Sequence, residues 1–554
     1  GGNLEGQNGL LSYRADLYLT SLEDRAFQPR HRFSISAGVP LLNVTLGDVT
    51  PYFNDLVLWG RRVRGVQARF YTGWVNVDFI QGQNMRDVAP IFSVTIDTTV
   101  TPNDTTVTFS RTGTFSQSLL GVRPSFGGKT FQLGFMLMKA SDDTTSIDPD
   151  TSGVTPRSNL VVGSDVLLSL FRNRVRFKAS VAHSFVTNNT RLPILSKAFV
   201  DSTYGIDLPF DPASLKSWLV VNESLTPLDP SGGSGLAYQM GFEFNSFGHF
   251  ITAGFKQIGS QYISFGHSFL RKDIRGFYVN DRWRMLNNRL FFNAGFERYR
   301  DHFDTIDNNP STVLNTMQLG LAVNWAPGLP SVNFNFRNHD RDNNIDSLAV
   351  AALAGVDRRE DNRTRDFSFL VNQEVQALNL QHTISLGLTS SARVDRFGGT
   401  RMAGIPTSDI VSNLQSLTVR SRFQMPLITT LSFAMNKNQA GGQLAPFKYN
   451  SANAQAEYTF PRPSLRAYAG FRFINASGKF GVAGATNFNS IDYTQTGLHL
   501  GGSITLAQQH EFVLDFGVLK YNDKGGVFDI PTATLTPNPS FTNAFVRSHY
   551  EFRF

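Results

Sequence analysis

The sequence predicts an all-β protein: a transmembrane, antiparallel up-and-down β-barrel of about 24 strands, or 22 on a stricter reading. Three observations predict it. Apolar and polar residues alternate with period two from near Leu10 to the end of the chain. Short and long links between the alternating stretches take turns throughout. No run approaches the roughly 18 apolar residues that a membrane helix needs; the longest, 348–356, is short and Ala-rich.

The strands are read from the alternation, because successive side chains on a strand point to opposite faces. Leu11, Tyr13, Ala15, Leu17 and Leu19 alternate with Ser12, Arg14, Asp16, Tyr18 and Thr20. Val175, Phe177, Ala179 and Val181 oppose Arg176, Lys178 and Ser180, and Val332, Phe334 and Phe336 face away from Asn333, Asn335 and Arg337. Leu465, Ala467, Ala469, Phe471 and Phe473 oppose Arg466, Tyr468 and Arg472. A helix needs a spacing near 3.6. Short links fall at 40–41, 72–73, 127–128, 171–173, 247–248, 286–288, 327–330, 425–427, 461–463 and 508–509. Long ones fall near 22–29, 50–60, 83–114, 142–157, 187–234, 259–272, 302–311, 342–361, 396–408, 439–449, 476–489 and 523–540. Membrane barrels show this asymmetry, with short periplasmic turns and long outer loops. The stretches 42–48 and 115–123 decide between 24 and 22 strands, and an even count places both termini on the short-turn side. The whole of 1–554 then reads as a single barrel domain, with 187–234 and 83–114 as extracellular or pore-folding loops.

Residues 543–554 read Asn-Ala-Phe-Val-Arg-Ser-His-Tyr-Glu-Phe-Arg-Phe. Ala544, Val546, Tyr550, Phe552 and Phe554 share one face; Arg547, His549, Glu551 and Arg553 share the other. This ending resembles the C-terminal signature of bacterial outer-membrane β-barrels. The resemblance implies a place in the Gram-negative outer membrane, with lipid and lipopolysaccharide around it. It also implies that Tyr550, Phe552 and Phe554 form an assembly signal for the barrel-assembly machinery. The N-terminal Gly-Gly-Asn-Leu-Glu-Gly has no charged-then-apolar signal pattern, so an exported form is expected to be a processed chain. A second stretch, 46–65, runs Gly-Asp, Thr-Pro, an apolar patch and a closing Arg-Gly. It resembles a segment of fimbrial ushers and early barrel segments of the type 9 translocon. Ushers carry a plug domain and periplasmic domains, and no insertion here has the length of such a plug. The plainer reading is a strand, a kink marked by Pro51, and a Gly that lets neighbouring backbones close up.

Composition agrees with a barrel. The chain holds 48 Phe and 47 Gly but only 17% charged residues, which suits aromatic girdles and a closely paired wall. With 0 Cys it has neither disulfides nor thiolate metal sites. The net charge of +7 is spread singly through the alternating segments, so nucleic acid is not an expected partner. No Gly-rich phosphate loop, zinc-ligand spacing or nucleophile elbow stands out, so neither catalysis nor a cofactor is indicated. Acidic loops at Asp142, Asp143, Asp148 and Asp150, at Asp301, Asp304 and Asp307, and at Asp340, Asp342 and Asp346 lack the spacing of a calcium loop and read as solvated.

Inward-facing charge is expected from Arg14, Arg64, Arg69, Arg176, Lys178, Arg337, Arg466, Arg472 and Arg547, interleaved with acids such as Asp16, Asp78, Glu243 and Asp515. Either these form ion pairs in a polar wall, or the lumen leans basic and favours anions. In 211–225, Asp211 can cap a helix, Pro212 suits its first position, and Leu215, Trp218 and Leu219 share a face. That helix either folds into the mouth or packs on its own loop. A wall of this width would leak if open, so the first functional reading is an outer-membrane channel or translocation barrel for solute or polypeptide. Its lumen would be gated by loops 187–234 and 83–114, or by a partner protein in the lumen or on either face. The alternative is a non-conducting barrel that anchors an envelope assembly.

Overall fold

The architecture comes from a computed structural model. It describes residues 1–97, 104–205, 207, 209, 211–228, 233–304, 310–326, 328–347, 357–401, 407, 409–441, 443–461, 464–481, 486–506 and 510–552. The chain folds as a nearly closed antiparallel barrel of about 25 strands, of the outer-membrane type.

One compact unit comprises Gly1–Asn245, Ala253–Phe277 and Arg300–Asn309. Its strands are β1 (Gly2–Asn8), β2 (Leu11–Tyr18), β3 (Arg32–Val39), β4 (Leu42–Val49), β5 (Val63–Tyr71), β6 (Val75–Met85), β7 (Ile91–Asp97), β8 (Asp104–Arg111), β9 (Gln117–Gly127), β10 (Phe131–Asp142), β11 (Ser158–Leu170) and β12 (Val175–Thr187). Helix α1 (Lys197–Tyr204), the two-residue β13 (Leu225–Thr226) and most of β14 (Leu236–Ser246) follow. Each wall strand pairs antiparallel with the next, β6 passing directly to β9 and β12 to β14. β7 and β8 form a separate two-stranded hairpin. β15 (His249–Ile258), β16 (Ile274–Met285) and β17 (Leu290–Asp301) divide between units, their long-loop ends belonging here.

The other unit comprises Ser246–Thr252, Tyr278–Tyr299 and Pro310–Phe554. It holds β18 (Val313–Asn324), β19 (Ser331–Asp342), β20 (Asp361–Ala377), β21 (Leu380–Asp395), β22 (Ile410–Arg422), β23 (Leu427–Ala440), β24 (Ala445–Phe460), β25 (Ser464–Phe480), β26 (Asn487–Leu506), β27 (His510–Asp523), the short β28 (Gly526–Asp529) and β29 (Thr534–Pro537), and β30 (Phe541–Phe552). Register keeps the two faces distinct. Ala454, Phe471, Leu498, Val518 and Ala544 form one apolar row across five strands. Glu457, Tyr468, Gly501, Asp515 and Arg547 form a polar row on the opposite face. Apolar rows meet lipid, and polar rows line the inside.

The structure corrects the sequence reading in four places. β1 is an added strand; it pairs Gly2 with Leu17 and so places the first residues at the long-loop end rather than the short-turn end. Its residues, Gly-Asn-Leu-Glu-Gly-Gln-Asn, carry no apolar alternation and pair with β2 through backbone, with Glu5 reaching Arg14 at 3.7 Å. The links expected at 439–449 and 476–489 shrink to 441–444 and 481–486, because β24, β25 and β26 run on past the apolar belt as paired strand, with one irregularity between Ala445 and Lys448. A turn at Leu378 and Asn379, with φ of 53° and 60°, escapes the reading since Leu378 continues the apolar pattern on both sides. Phe554 and the stretch 348–356 lie outside the described residues.

Phe471 and Phe516 are 40% and 46% exposed on the lipid-facing side. Replacing either with Arg is expected to cost up to roughly 2–4 kcal/mol near the midplane and to lower the folded fraction in heat-modifiable gel mobility. Arg472→Phe, on the inner face, is expected to be milder. Equal effects at the two faces would contradict the face assignment.

Candidate pore constriction

The link between β4 and β5 is too apolar for an outer loop. Phe53, Leu56, Val57 and Leu58 follow Pro51 within eight residues, and water would meet all of them if the loop stood free. Instead the segment turns inward. Asn54 makes the turn: its Oδ1 accepts from the backbone N–H of Leu56 at 3.0 Å and of Val57 at 2.8 Å. Phe53 N–H donates to the Leu58 carbonyl at 3.1 Å and closes it. Leu56, Val57 and Leu58 are fully buried, each contributing about 1.5–3 kcal/mol over an exposed position.

A second link, 259–273 between β15 and β16, folds onto the first. The Tyr262 hydroxyl donates to the Leu56 carbonyl at 3.0 Å, and Ser264 Oγ donates to the Val57 carbonyl at 2.5 Å. Trp59 N–H donates to the Gly266 carbonyl at 3.1 Å, and Ser268 N–H returns to the Trp59 carbonyl at 3.2 Å. Gly266 allows this close approach: a Cβ on it would meet Leu58 Cδ1 at 2.8 Å and the Val57 carbonyl at 3.0 Å. The pair of loops is then pinned to the wall. Asn159 Oδ1 accepts from Phe265 N–H at 2.9 Å, while Asn159 Nδ2 donates to the Ile263 carbonyl at 3.1 Å and to Ser184 Oγ at 3.0 Å. Asn84 Nδ2 reaches the Phe265 carbonyl at 3.2 Å and Gln117 Oε1 at 2.6 Å. Each buried backbone group of the turn that these bonds satisfy would otherwise carry a desolvation cost of about 1–3 kcal/mol.

The wall under the loops is built for them. Val63, Ile80, Leu119, Met136, Met138 and Val161 are buried on the same strand faces that carry Arg69, Asp78, Arg123 and Asp165 further along. One inner face thus has an apolar zone toward the long loops and a charged zone toward the short turns. The sequence reading did not single out this loop pair, because it looked to the longest loops for occlusion. Two signals were present. The stretch 133–140 is nearly continuous in apolar residues rather than alternating, as expected of a strand covered on both faces. The other signal is 46–65, whose apolar patch is the inward turn. Its Gly65 packs as the plainer reading had it: a Cβ there would lie 2.5 Å from Gly82 Cα.

The expected lumen charges are mostly paired. Arg14 meets Asp16 at 2.7 Å, Arg69 meets Asp78 at 3.8 Å, and Arg123 joins Asp78 at 3.4 Å to Asp165 at 2.9 Å. Glu243 takes both Arg176 at 3.2 Å and Lys178 at 2.7 Å. Arg337 meets Asp366 at 2.7 Å, and Arg466 meets Glu457 at 3.1 Å. Arg472 donates to the Tyr449 hydroxyl at 3.3 Å, and Arg547 lies 4.8 Å over the Phe545 ring. Arg64 is a correction. It is five positions from Arg69 on one strand, so the two face opposite ways. Arg64 lies on the Val66 and Phe70 face, paired with Asp48 at 2.9 Å and stacked over Phe33 at 5.2 Å.

In loop 187–234 the helical turn is shorter than 211–225. Asp211 caps a 3-10 turn, Pro212–Leu215. The surrounding segment packs on its own loop: Thr187 Oγ1 donates to the Val220 carbonyl at 2.6 Å, and Asn222 Nδ2 to the Asn189 carbonyl at 2.8 Å. Trp218 stays 42% exposed and Leu219 is half-buried. The neighbouring Ser217 carbonyl accepts from Lys139, which shares its strand face with Phe131, Phe135 and Leu137, the lipid-facing side.

A second cluster ties the loops after β19 and β21. Arg359 makes a bidentate pair with Asp357 at 2.9 and 3.1 Å, and its ring-face partner is Phe397 at 4.7 Å. Arg401 meets Asp395 at 2.8 Å and donates to the Arg359 carbonyl at 2.8 Å. Bonding to Arg359 holds the Asp357 carboxyl down to about 2. A depressed carboxylate stabilises the fold above its unfolded value near 3.9 and loses that contribution as pH falls toward the folded value. Amide exchange in the described part of loop 396–409, corrected for intrinsic rate, is therefore expected to be flat from pH 5 to 8 and to rise below about pH 4. Asp357→Asn is expected to produce the loosened pattern already at pH 7, and protection identical to wild type would contradict the role of the pair.

Among solved structures, the P pilus usher (PapC) translocation pore aligns over 97% of this chain and 94% of its own, with 12% identity and a TM-score of 0.37. BauA, the ferric preacinetobactin receptor from Acinetobacter baumannii, aligns over 99% of this chain and 81% of its own, with 8% identity and a TM-score of 0.38. A BenF-like porin from Pseudomonas fluorescens aligns over 76% of this chain and 97% of its own, with 10% identity and a TM-score of 0.30. At TM-scores this low the likenesses say nothing about what this chain transports or binds. No family model matches the sequence, and no curated protein does.

Proposed function

We propose that the protein is an outer-membrane channel or translocation barrel whose passage is gated by its own folded-in loops, 50–62 and 259–273. One observation carries this reading: Leu56, Val57, Leu58 and Tyr262 are fully buried, yet they belong to links rather than to the wall. The links hold each other and the inner face through hydrogen bonds and apolar contact, with no covalent tie. Such an attachment can open, which a gate needs and a static anchor does not. The paired charges of the inner wall suit polar cargo without a strong preference for either sign. Outer-membrane lipid and lipopolysaccharide are the surroundings, the barrel-assembly machinery is the expected insertion partner, and the reading is of transport rather than catalysis.

The test compares two deletions in planar bilayers. Removing 51–58 is expected to leave a heat-modifiable barrel and to raise single-channel conductance and antibiotic entry severalfold. Removing 211–225 is expected to leave both unchanged. A tight barrel after the first deletion would contradict the gate and favour occlusion by another polypeptide or a non-conducting anchor.

A further inference from the structure

The outward face of β20 to β24 changes character near the long-loop end. On β23, Leu431, Phe433 and Met435 point to lipid, 46%, 52% and 56% exposed, and the next residue on that face is Lys437. Register sets Lys437 directly opposite Lys448 on β24, with Asn413 on its other side and Ser390 beyond. Like charges placed opposite each other across strands destabilise a sheet. Among the described residues neither lysine has a carboxylate within 4.0 Å to relieve this. One row nearer the short turns lie Leu388, Gln415, Met435 and Asn450. With Phe367, these two rows line an open groove of about 480 Å³, and no acidic side chain contributes to it. The next carboxylate along the lysine row is Asp492, two strands past Lys448 and separated from it by Ser477.

Depth fixes what the groove meets. From Leu427, beside the short turn, to Lys437, a strand at the usual tilt climbs about 25 Å, the height of the apolar band of such barrels. Lys437 and Lys448 therefore stand at the upper border of the band, level with the outer-leaflet headgroups. We infer that the groove binds a phosphorylated glycolipid of that leaflet, the chemistry of the lipid anchor of lipopolysaccharide. A phosphate bridges the two ammonium groups and turns their repulsion into a clamp. Asn413, Gln415 and Asn450 offer amides to the sugar hydroxyls. Leu388 and Met435 guide the acyl chains toward the midplane. Two cations without an acid above, and an apolar flank below, select that headgroup. The site rests on the outward face of the wall and not on the gating loops.

The probes are diphosphoryl lipid A, the same lipid with its phosphates removed, and inorganic phosphate. Each is titrated into the delipidated full chain in mild detergent, and native mass spectrometry counts the lipid retained. The wild type is expected to retain one diphosphoryl lipid A per chain. Lys437→Gln and Lys448→Gln are each expected to weaken retention about tenfold, as loss of one charge-assisted contact implies. Removing the phosphates from the lipid is expected to weaken it about a hundredfold, as loss of both contacts implies. Lys520→Gln, on the same outward face as Val518 of β27, is expected to leave it unchanged. Heat-modifiable mobility checks that each variant is a folded barrel. No retention by the wild type, equal retention of the dephosphorylated lipid, or a loss in Lys520→Gln as large as in Lys437→Gln overturns the site. Displacement of the lipid by inorganic phosphate overturns the glycolipid as its ligand.

Discussion

Hydrocarbon offers a peptide group no partner, and everything else in this structure depends on that. A strand crossing a bilayer must have every N–H and C=O paired by its neighbours. Antiparallel pairing in chain order satisfies this with tight turns at one end. It also fixes which side chains look outward. Once Phe471 faces lipid, Arg472 faces inward, and the register carries that choice to Leu498 and Val518 on the next two strands. The charged residues inside then find partners across strands, as Arg123 does with Asp78 and Asp165.

The same constraint explains what becomes of the loops. A link that returns inside the wall brings unpaired backbone into a place where water is scarce. The inward turn of 50–62 meets this with Asn54 for its own amides, and with Tyr262 and Ser264 for the carbonyls of Leu56 and Val57. Asn84 and Asn159 perform the same service for the partner loop. These are side-chain bonds spread over four segments of chain. Each is a hydrogen bond that water could replace, so the attachment is specific without being covalent.

The wall was legible because its signal is local. Period two within a strand and the length of the next link are read from neighbouring residues, and they locate nearly every wall strand. Where that signal is missing the reading fails. Gly2–Asn8 has too little apolar content to show alternation, and Leu378 hides a turn inside an apolar run. The buried loop pair was illegible for a different reason. It joins residues near 56 to residues near 264, a pairing that no local period encodes. Length favoured loop 187–234, whereas hydrophobicity per residue favoured 50–62, and burial follows hydrophobicity. Arg64 was misplaced by charge alone, although its odd separation from Arg69 already set it on the other face.

The most direct test of the account is whether the two loops touch inside the assembled barrel. The chain has 0 Cys, so an engineered pair reports without background. Trp59 and His267 are bridge partners with ring centroids 5.1 Å apart. The double variant Trp59→Cys, His267→Cys is expected to form an internal disulfide on mild oxidation of intact outer membranes. Oxidised channels should stay at low conductance, and reduction should restore the wild-type distribution of openings. Free labelling of both positions by a membrane-impermeant maleimide, with no disulfide under the same oxidation, would contradict the folded-in loops and with them the gate.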